Sequence, residues 1–113
     1  MTIDQLSKLE NLRILNIEYG GFHRYNLKKV ATIKSLRTLI ISGLDIRDDD
    51  VENLTDMQLI VLPMPRNNLS DAGLMKLAKI STLRALEIKD CPRVTAIGAA
   101  RFHKLLPTCK LIK

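Results

Sequence analysis

The stretch Ser81–Gly98, STLRALEIKDCPRVTAIG, decides the reading of the chain. It contains Leu83-x-x-Leu86-x-Ile88-x-x-Cys91, then Val94-Thr95 and a helix-like run. Leu86 and Ile88 stand two apart, the period of a strand with one buried face. Beyond Val94 the apolar spacing switches to three and four, the period of a helix. A strand, a bend and a short helix in one such unit are too thin to bury their own apolar face. The unit must stack on copies of itself.

Three earlier copies precede it. Leu12, Leu15, Ile17 and Gly20 form the first, Leu36, Leu39, Ile41 and Leu44 the second, and Leu59, Leu62, Met64 and Asn67 the third. From Ile17 to Ile41, Met64 and Ile88 the steps are 24, 23 and 24 residues. A further apolar column, Phe22, Ile46, Leu69 and Val94, follows the strands. Helical stripes at i, i+3 and i+6 repeat as Ile3, Leu6, Leu9; Leu27, Val30, Ile33; Val51, Leu54, Met57; Leu74, Leu77, Ile80; and Ala99, Phe102, Leu105.

These columns resemble a leucine-rich repeat of the LxxLxLxxN type with a period near 24. Cys91-Pro92-Arg93-Val94-Thr95 and Leu69-Ser70-Asp71-Ala72-Gly73-Leu74 are similar to the cysteine-containing and ribonuclease-inhibitor-like subfamilies. Leu106-Pro107-Thr108-Cys109-Lys110-Leu111 resembles the way such arrays close before a last short strand. The resemblance covers nearly the whole chain. It implies an α/β fold, a right-handed solenoid with a parallel sheet on its concave side and short helices on its convex side. Residues 1–113 would form one domain of four repeats plus a partial terminal strand. Two departures stand out. The Asn slot reads Gly20, Leu44, Asn67 and Cys91, so one copy alone keeps the amide. The third strand carries Pro63 and Pro65, whose missing N–H groups fall on one side of a parallel strand. Either the sheet opens locally there, which is the preferred reading, or the register of that strand differs.

Composition sets the class. With 46% hydrophobic and 27% charged residues, the chain is typical of globular proteins rather than disordered ones. No apolar run is long enough for a membrane span, and MTIDQLSKLE lacks the basic and apolar regions of a signal peptide. Two cysteines are too few for a disulfide-framed secreted domain, so a reduced, cytoplasmic setting is expected. The net charge of +6 is uneven: residues 45–56 hold six acidic groups against one basic, and the remainder is basic. An acidic partner is permitted but not required.

Candidates for chemistry are few. Asp45, Asp48, Asp49, Asp50 and Glu52 invite a Ca²⁺ reading but lack the alternating ligands and central Gly of an EF-hand loop. They align with Ser70-Asp71, and helix capping is the expectation. Cys91, Cys109 and His103 match no zinc-ligand spacing. His23 and His103 have no nucleophile or carboxylate at catalytic spacing, and Gly20-Gly21 lacks a phosphate-loop context. No enzyme, metal or cofactor is expected. Two surface features are less bland: His23, Arg24 and Tyr25, which fill no column, and Arg13, Arg37 and Arg84, which with Ile60 form a column where the strands begin.

The expected function is a non-catalytic protein–protein interaction scaffold, with a recognition module of a larger assembly as one setting. Binding is expected on the concave residues Ile14, Asn16 and Glu18; Thr38, Ile40 and Ser42; Val61, Pro63 and Pro65; and Ala85, Glu87 and Lys89, apolar at the centre and polar at the rims. A basic-surface binder of nucleic acid or another polyanion is the alternative, disfavoured because it would want basic residues interleaved with stacking aromatics, whereas the concave face offers only Lys89 against Glu18 and Glu87. No membrane partner is expected. The chain opens on the helix of a repeat, Ile3–Leu9, with no strand ahead of Leu12–Ile17, so self-association through this N-terminal edge is a further expectation.

Overall fold

The structure is a computed structural model that describes residues 11–18 and 22–113. The Ile3–Leu9 stripe and the Gly20 slot lie outside the described residues. Five strands alternate with short helices: β1 (Ile14–Ile17), α1 (Leu27–Val30), β2 (Thr38–Ile41), α2 (Asp48–Val51), β3 (Val61–Pro63), α3 (Asp71–Leu77), β4 (Ala85–Glu87), α4 (Ala96–Leu105) and β5 (Lys110–Ile112). Single 3₁₀ turns at Arg24–Asn26 and Glu52–Leu54 flank the two shortest helices. The strands form one parallel sheet in chain order, β1 to β5.

Alternation sorts the strand residues between faces. Leu15, Ile17, Leu39, Ile41, Leu62, Met64, Leu86 and Ile88 are buried, and they join Leu27, Val30, Ile33, Val51, Leu54, Met57, Leu74, Leu77, Ile80 and Phe102 in one core. Each fully buried aliphatic side chain contributes roughly 1.5–3 kcal/mol. The last helical stripe departs from its expected form. Leu105 is exposed, whereas Leu106 is buried. Helix α4 ends there, with Leu106 at φ −141° and ψ 70°, because the following Pro107 excludes helical geometry for the residue before it. That change of direction turns Leu106 inward.

Three turns leave the strands in the same way. Gly43, Arg66 and Asp90 occupy equivalent positions and are all left-handed, with φ of 65°, 57° and 59°. Directly after them come Leu44, Asn67 and Cys91. Leu44 is partly buried and Cys91 is buried. The Cys91 thiol points at the carbonyls of Met64 (3.7 Å) and Lys89 (3.9 Å).

The prolines of β3 act where expected. Strands β1–β2, β3–β4 and β4–β5 are paired along their lengths, but β2 and β3 share only Thr38↔Val61. The amides of Met64 and Arg66 donate to Glu87 and Lys89 in the next repeat, at 2.9 Å each. Positions 63 and 65 therefore face β2, where proline has no N–H to give. The register of β3 holds, and the sheet loosens on one side of it. Asn67 bridges the gap. Its Nδ2 donates to Ile41 O at 2.7 Å, the carbonyl that a residue-65 amide would serve, and also approaches Met64 O (3.2 Å) and Pro65 O (3.3 Å). Its Oδ1 accepts from Leu44 N and Ile46 N, both at 3.0 Å.

A second device ties the helices together. Ser70 and Thr95 are the N-cap residues of α3 and α4, and their side chains accept from Ala72 N and Gly98 N. The carboxylate that begins each preceding helix reaches forward to grip them. Asp48 accepts from Ser70 N (2.8 Å) and Ser70 Oγ; Asp71 accepts from Thr95 N (2.8 Å) and Thr95 Oγ1 (2.5 Å). Gly73 and Gly98 leave room for these carboxylates, since a Cβ built at either would collide with Asp48 or Asp71. Between the first two helical turns the same positions hold Arg24 and Asp50, an ion pair at 3.1 Å. Where the forward-reaching residue is basic, the glycine is replaced by its counter-ion.

Glycine to alanine inside an exposed helix stabilises by about 1 kcal/mol, whereas forcing extra volume into a packed site costs about 1–3 kcal/mol. Collision is expected to win at position 73. Urea unfolding should show Gly73→Ala destabilised by about 2 kcal/mol. At Gly98, where the close contacts all come from the Asp71 carboxylate, Gly98→Ala should likewise destabilise, and in an Asp71→Ala background the same change should be neutral or stabilising.

Candidate functional site: the open sheet face

The face of the sheet opposite the core carries the residues at which sequence alternation aimed. Three rows cross it. Ile14, Thr38, Val61, Ala85 and Lys110 form the first by direct pairing. Asn16 pairs with Ile40, and Pro63 pairs with Glu87, which pairs with Ile112. Glu18, Ser42, Pro65 and Lys89 follow one step further along the chain in each case. Ile14 is 62% exposed, and Thr38, Ile40, Val61, Pro63, Pro65, Ala85 and Glu87 are half-buried. Asn16 and Lys89 are exposed.

Two details differ from the sequence pattern. Ser42 is buried, at 3% exposure, because Arg66 lies across it and donates Nη2 to Ser42 Oγ at 2.7 Å. The left-handed backbone at Arg66 sends that side chain back toward β2. Alternation alone also missed the contribution of β5: Lys110 and the exposed Ile112 extend the rows beyond Ala85 and Glu87. Their spacing of two was the available signal.

The remaining sequence candidates separate into two places. Arg24 is engaged rather than free. Its Nη1 contacts both oxygens of the buried Asp50 at 3.1 Å, and its guanidinium sits 4.5 Å from the centre of the Tyr25 ring. The Asp50 carboxylate, as the main cause, raises the pKa of Arg24. His23 Nδ1 accepts from Tyr25 N at 3.3 Å and its ring lies 4.4 Å from that of Tyr25, which remains 62% exposed. The arginine column lies at the other end of the strands. Arg37 donates to the carbonyls of Lys34 and Leu36, Arg84 to those of Ser81 and Leu83, and Arg13 to that of Ser35 at 3.4 Å.

Most of the acidic cluster is committed to internal contacts, and Asp49 is fully exposed, 4.0 Å from Lys76. Asp50 accepts from Arg47 N at 2.8 Å, a true helix cap, and from Arg24. Asp48 serves Ser70 in the next repeat rather than the helix it begins. Asp45 pairs with Arg47 at 2.9 Å, and Lys76 lies 3.5 Å from Glu52. Among the described residues no group of three or more His, Cys, Asp or Glu side chains is arranged to hold a metal ion. Both cysteines are free thiols in buried positions, and burial pushes their pKa values up, which makes each a poorer nucleophile. No helix among the described residues is long and apolar enough to cross a membrane.

No protein family matches the chain, and no curated protein matches it either. The site is therefore read from its geometry.

The Asp71 clamp should be visible in the acid stability of the protein. Its carboxyl is held below the ordinary carboxylate pKa by the Thr95 hydroxyl, then by the Thr95 amide, with Arg101 adding a favourable charge against a desolvation penalty. A folded-state pKa below the unfolded 3.8 means that the ionised clamp stabilises above that pH and fades as pH falls through the lower folded value. Asp71→Asn should thus be less stable than the parent at neutral pH. The difference between the two should shrink on acidification below 3.8, as read from urea midpoints across the pH range.

Proposed function

We propose that the chain is a leucine-rich-repeat module, a right-handed βα solenoid, that binds a protein partner on its open sheet face and performs no catalysis. The period of 23–24 residues, the equivalent left-handed turns and the Asn67 bridge support the repeat reading. One observation carries the functional reading. Ile14, Ile40, Val61, Pro63 and Pro65 give that face an apolar centre, and Asn16, Glu87 and Lys89 give it polar margins. An apolar core within a polar rim is the usual anatomy of a protein interface. Strand residues are held by the backbone at a lateral spacing of about 4.8 Å, so docking on them sacrifices little side-chain freedom.

A basic surface that binds nucleic acid is the second reading, motivated by the +6 charge and the arginine column. It would use aromatic side chains to stack on bases, and among the described residues the open face carries none. Retention on heparin into high salt would favour that reading. Self-association is the remaining proposal. Among the described residues β1 and β5 each pair on one side only, and parallel edges of that kind recruit further strands. Sedimentation at several concentrations tests it.

The partner-binding reading predicts the effect of two substitutions. Ile40→Arg or Val61→Arg should remove at least about 2 kcal/mol of binding measured by calorimetry with the captured partner, while the circular dichroism spectrum stays unchanged. Lys79→Glu, in the turn just past α3, and Lys104→Glu, on α4, both exposed and without ion pairs among the described residues, should change only the salt dependence. Normal binding by the Ile40 and Val61 variants, with loss in the lysine variants, would move the interface to the helices.

A further inference from the structure

The rim where the strands begin carries three arginines, and none of them has a carboxylate partner among the described residues. Arg13, Arg37 and Arg84 immediately precede Ile14, Thr38 and Ala85, and Ile60 holds the equivalent place ahead of Val61. Strands pair at about 4.8 Å, so Arg13 and Arg37 are near neighbours, while Arg37 and Arg84 stand about 10 Å apart on either side of Ile60. Like charges so placed repel, and an anion between them would relieve the repulsion.

Two of the guanidinium groups are already fixed. Arg37 Nη1 donates to Lys34 O and Leu36 O, each at 2.9 Å. Arg84 Nη1 donates to Ser81 O and Leu83 O, each at 3.1 Å. With Nη1 occupied by two carbonyls, the Nε–H and Nη2–H edge of each head stays available, the pair of donors that grips a carboxylate side-on. Between the two heads opens a pocket of about 240 Å³, lined by Arg37, Gln58, Ile60, Thr82 and Arg84. Thr82 is tied to Leu59 O at 2.7 Å, and Ile60 gives the pocket an apolar floor, 40% exposed.

We propose that this pocket binds a carboxylate side chain of a partner polypeptide, with a neighbouring apolar side chain of the same segment resting on Ile60. Prefixed donors bind with little loss of side-chain freedom. The apolar floor favours a peptide over a nucleic acid, which would look for aromatic platforms, and no aromatic residue lines the pocket. The proposal adds a ligand class to the reading of a partner-binding domain but stands on different residues from the sheet-face test. The failure of either leaves the other intact.

The test follows the side-chain Nε–Hε signals of Arg37 and Arg84 in ¹⁵N-labelled protein during titration with a short peptide of alternating Leu and Glu. Controls are the same peptide with Gln for Glu, and oligothymidylate. Both signals should shift and saturate together with the acidic peptide and stay still with its Gln counterpart. Arg37→Gln or Arg84→Gln should weaken binding about tenfold each. Because those variants also lose carbonyl contacts, Ile60→Asp serves as a second probe: it alters an exposed side chain, leaves both arginines in place and should abolish binding by charge repulsion. Absence of saturable shifts at these two arginines, or an Ile60→Asp variant that binds normally, overturns the proposal. Oligothymidylate shifting them at lower concentration than the peptide overturns it in favour of nucleic acid.

Discussion

The side-chain amide of Asn67 reinforces the sheet at its weakest join, beside the main-chain bonds from Ile60 N and Val61 N to Arg37 O, from Gly43 N to Pro65 O and from Asn68 N to Ile46 O. Pro63 and Pro65 remove two consecutive donors from the side of β3 that faces β2, leaving Thr38↔Val61 as the only paired position between them. A sheet weakened there would separate into a β1–β2 part and a β3–β5 part. Asn67 counters this by donating to Ile41 O and accepting from Leu44 N and Ile46 N. Three main-chain groups of the preceding repeat, those of Ile41 and Ile46 buried and that of Leu44 partly so, thus find partners in one side chain. Such groups each cost about 1–3 kcal/mol if left unpaired. The single repeat that keeps Asn is the one with the prolines, where the amide has most to compensate. Ile40 on β2 and Val61 on β3 stand on opposite sides of this seam, so the proposed binding face is one surface only while the seam holds.

On the helical side neighbouring strand–helix units are joined by charge. Asp48 and Asp71 each satisfy the amide and hydroxyl of the cap residue in the next repeat, and that hydroxyl in turn caps its own helix. Capping and inter-repeat packing become a single hydrogen-bonded unit. The motif therefore needs three residue types in two repeats: an acid, a hydroxyl and a glycine. Arg24 and Asp50 show that the glycine belongs to the acid, since both change together.

How much of this could be read from the sequence follows from how local each cause is. Side-chain direction in a strand is fixed by its own backbone, so the buried rows at Leu39 and Ile41 and the open row at Thr38 and Ile40 were legible. The parity of Pro63 and Pro65 made the loosened side legible too. The role of Asp48 was not, because its partner lies 22 residues away, and alignment with a helix start suggested capping within its own repeat. The burial of Ser42 was not legible for a similar reason: it depends on the side chain of Arg66 from the next repeat. Leu106 needed the clash between Pro107 and helical geometry to be weighed against a regular stripe that pointed to Leu105.

Native-state hydrogen exchange tests most directly whether the proline seam is held closed. If Asn67 makes the sheet one cooperative body, the amides of Leu44 and Ile46, though outside any strand, should exchange with the same opening free energy as Leu62 and Leu86 in the core. In Asn67→Ala, residues of β1 and β2 should then open separately and at lower free energy. Fast, loop-like exchange of Leu44 and Ile46 in the parent protein would contradict the account, as would an unchanged exchange pattern in the variant.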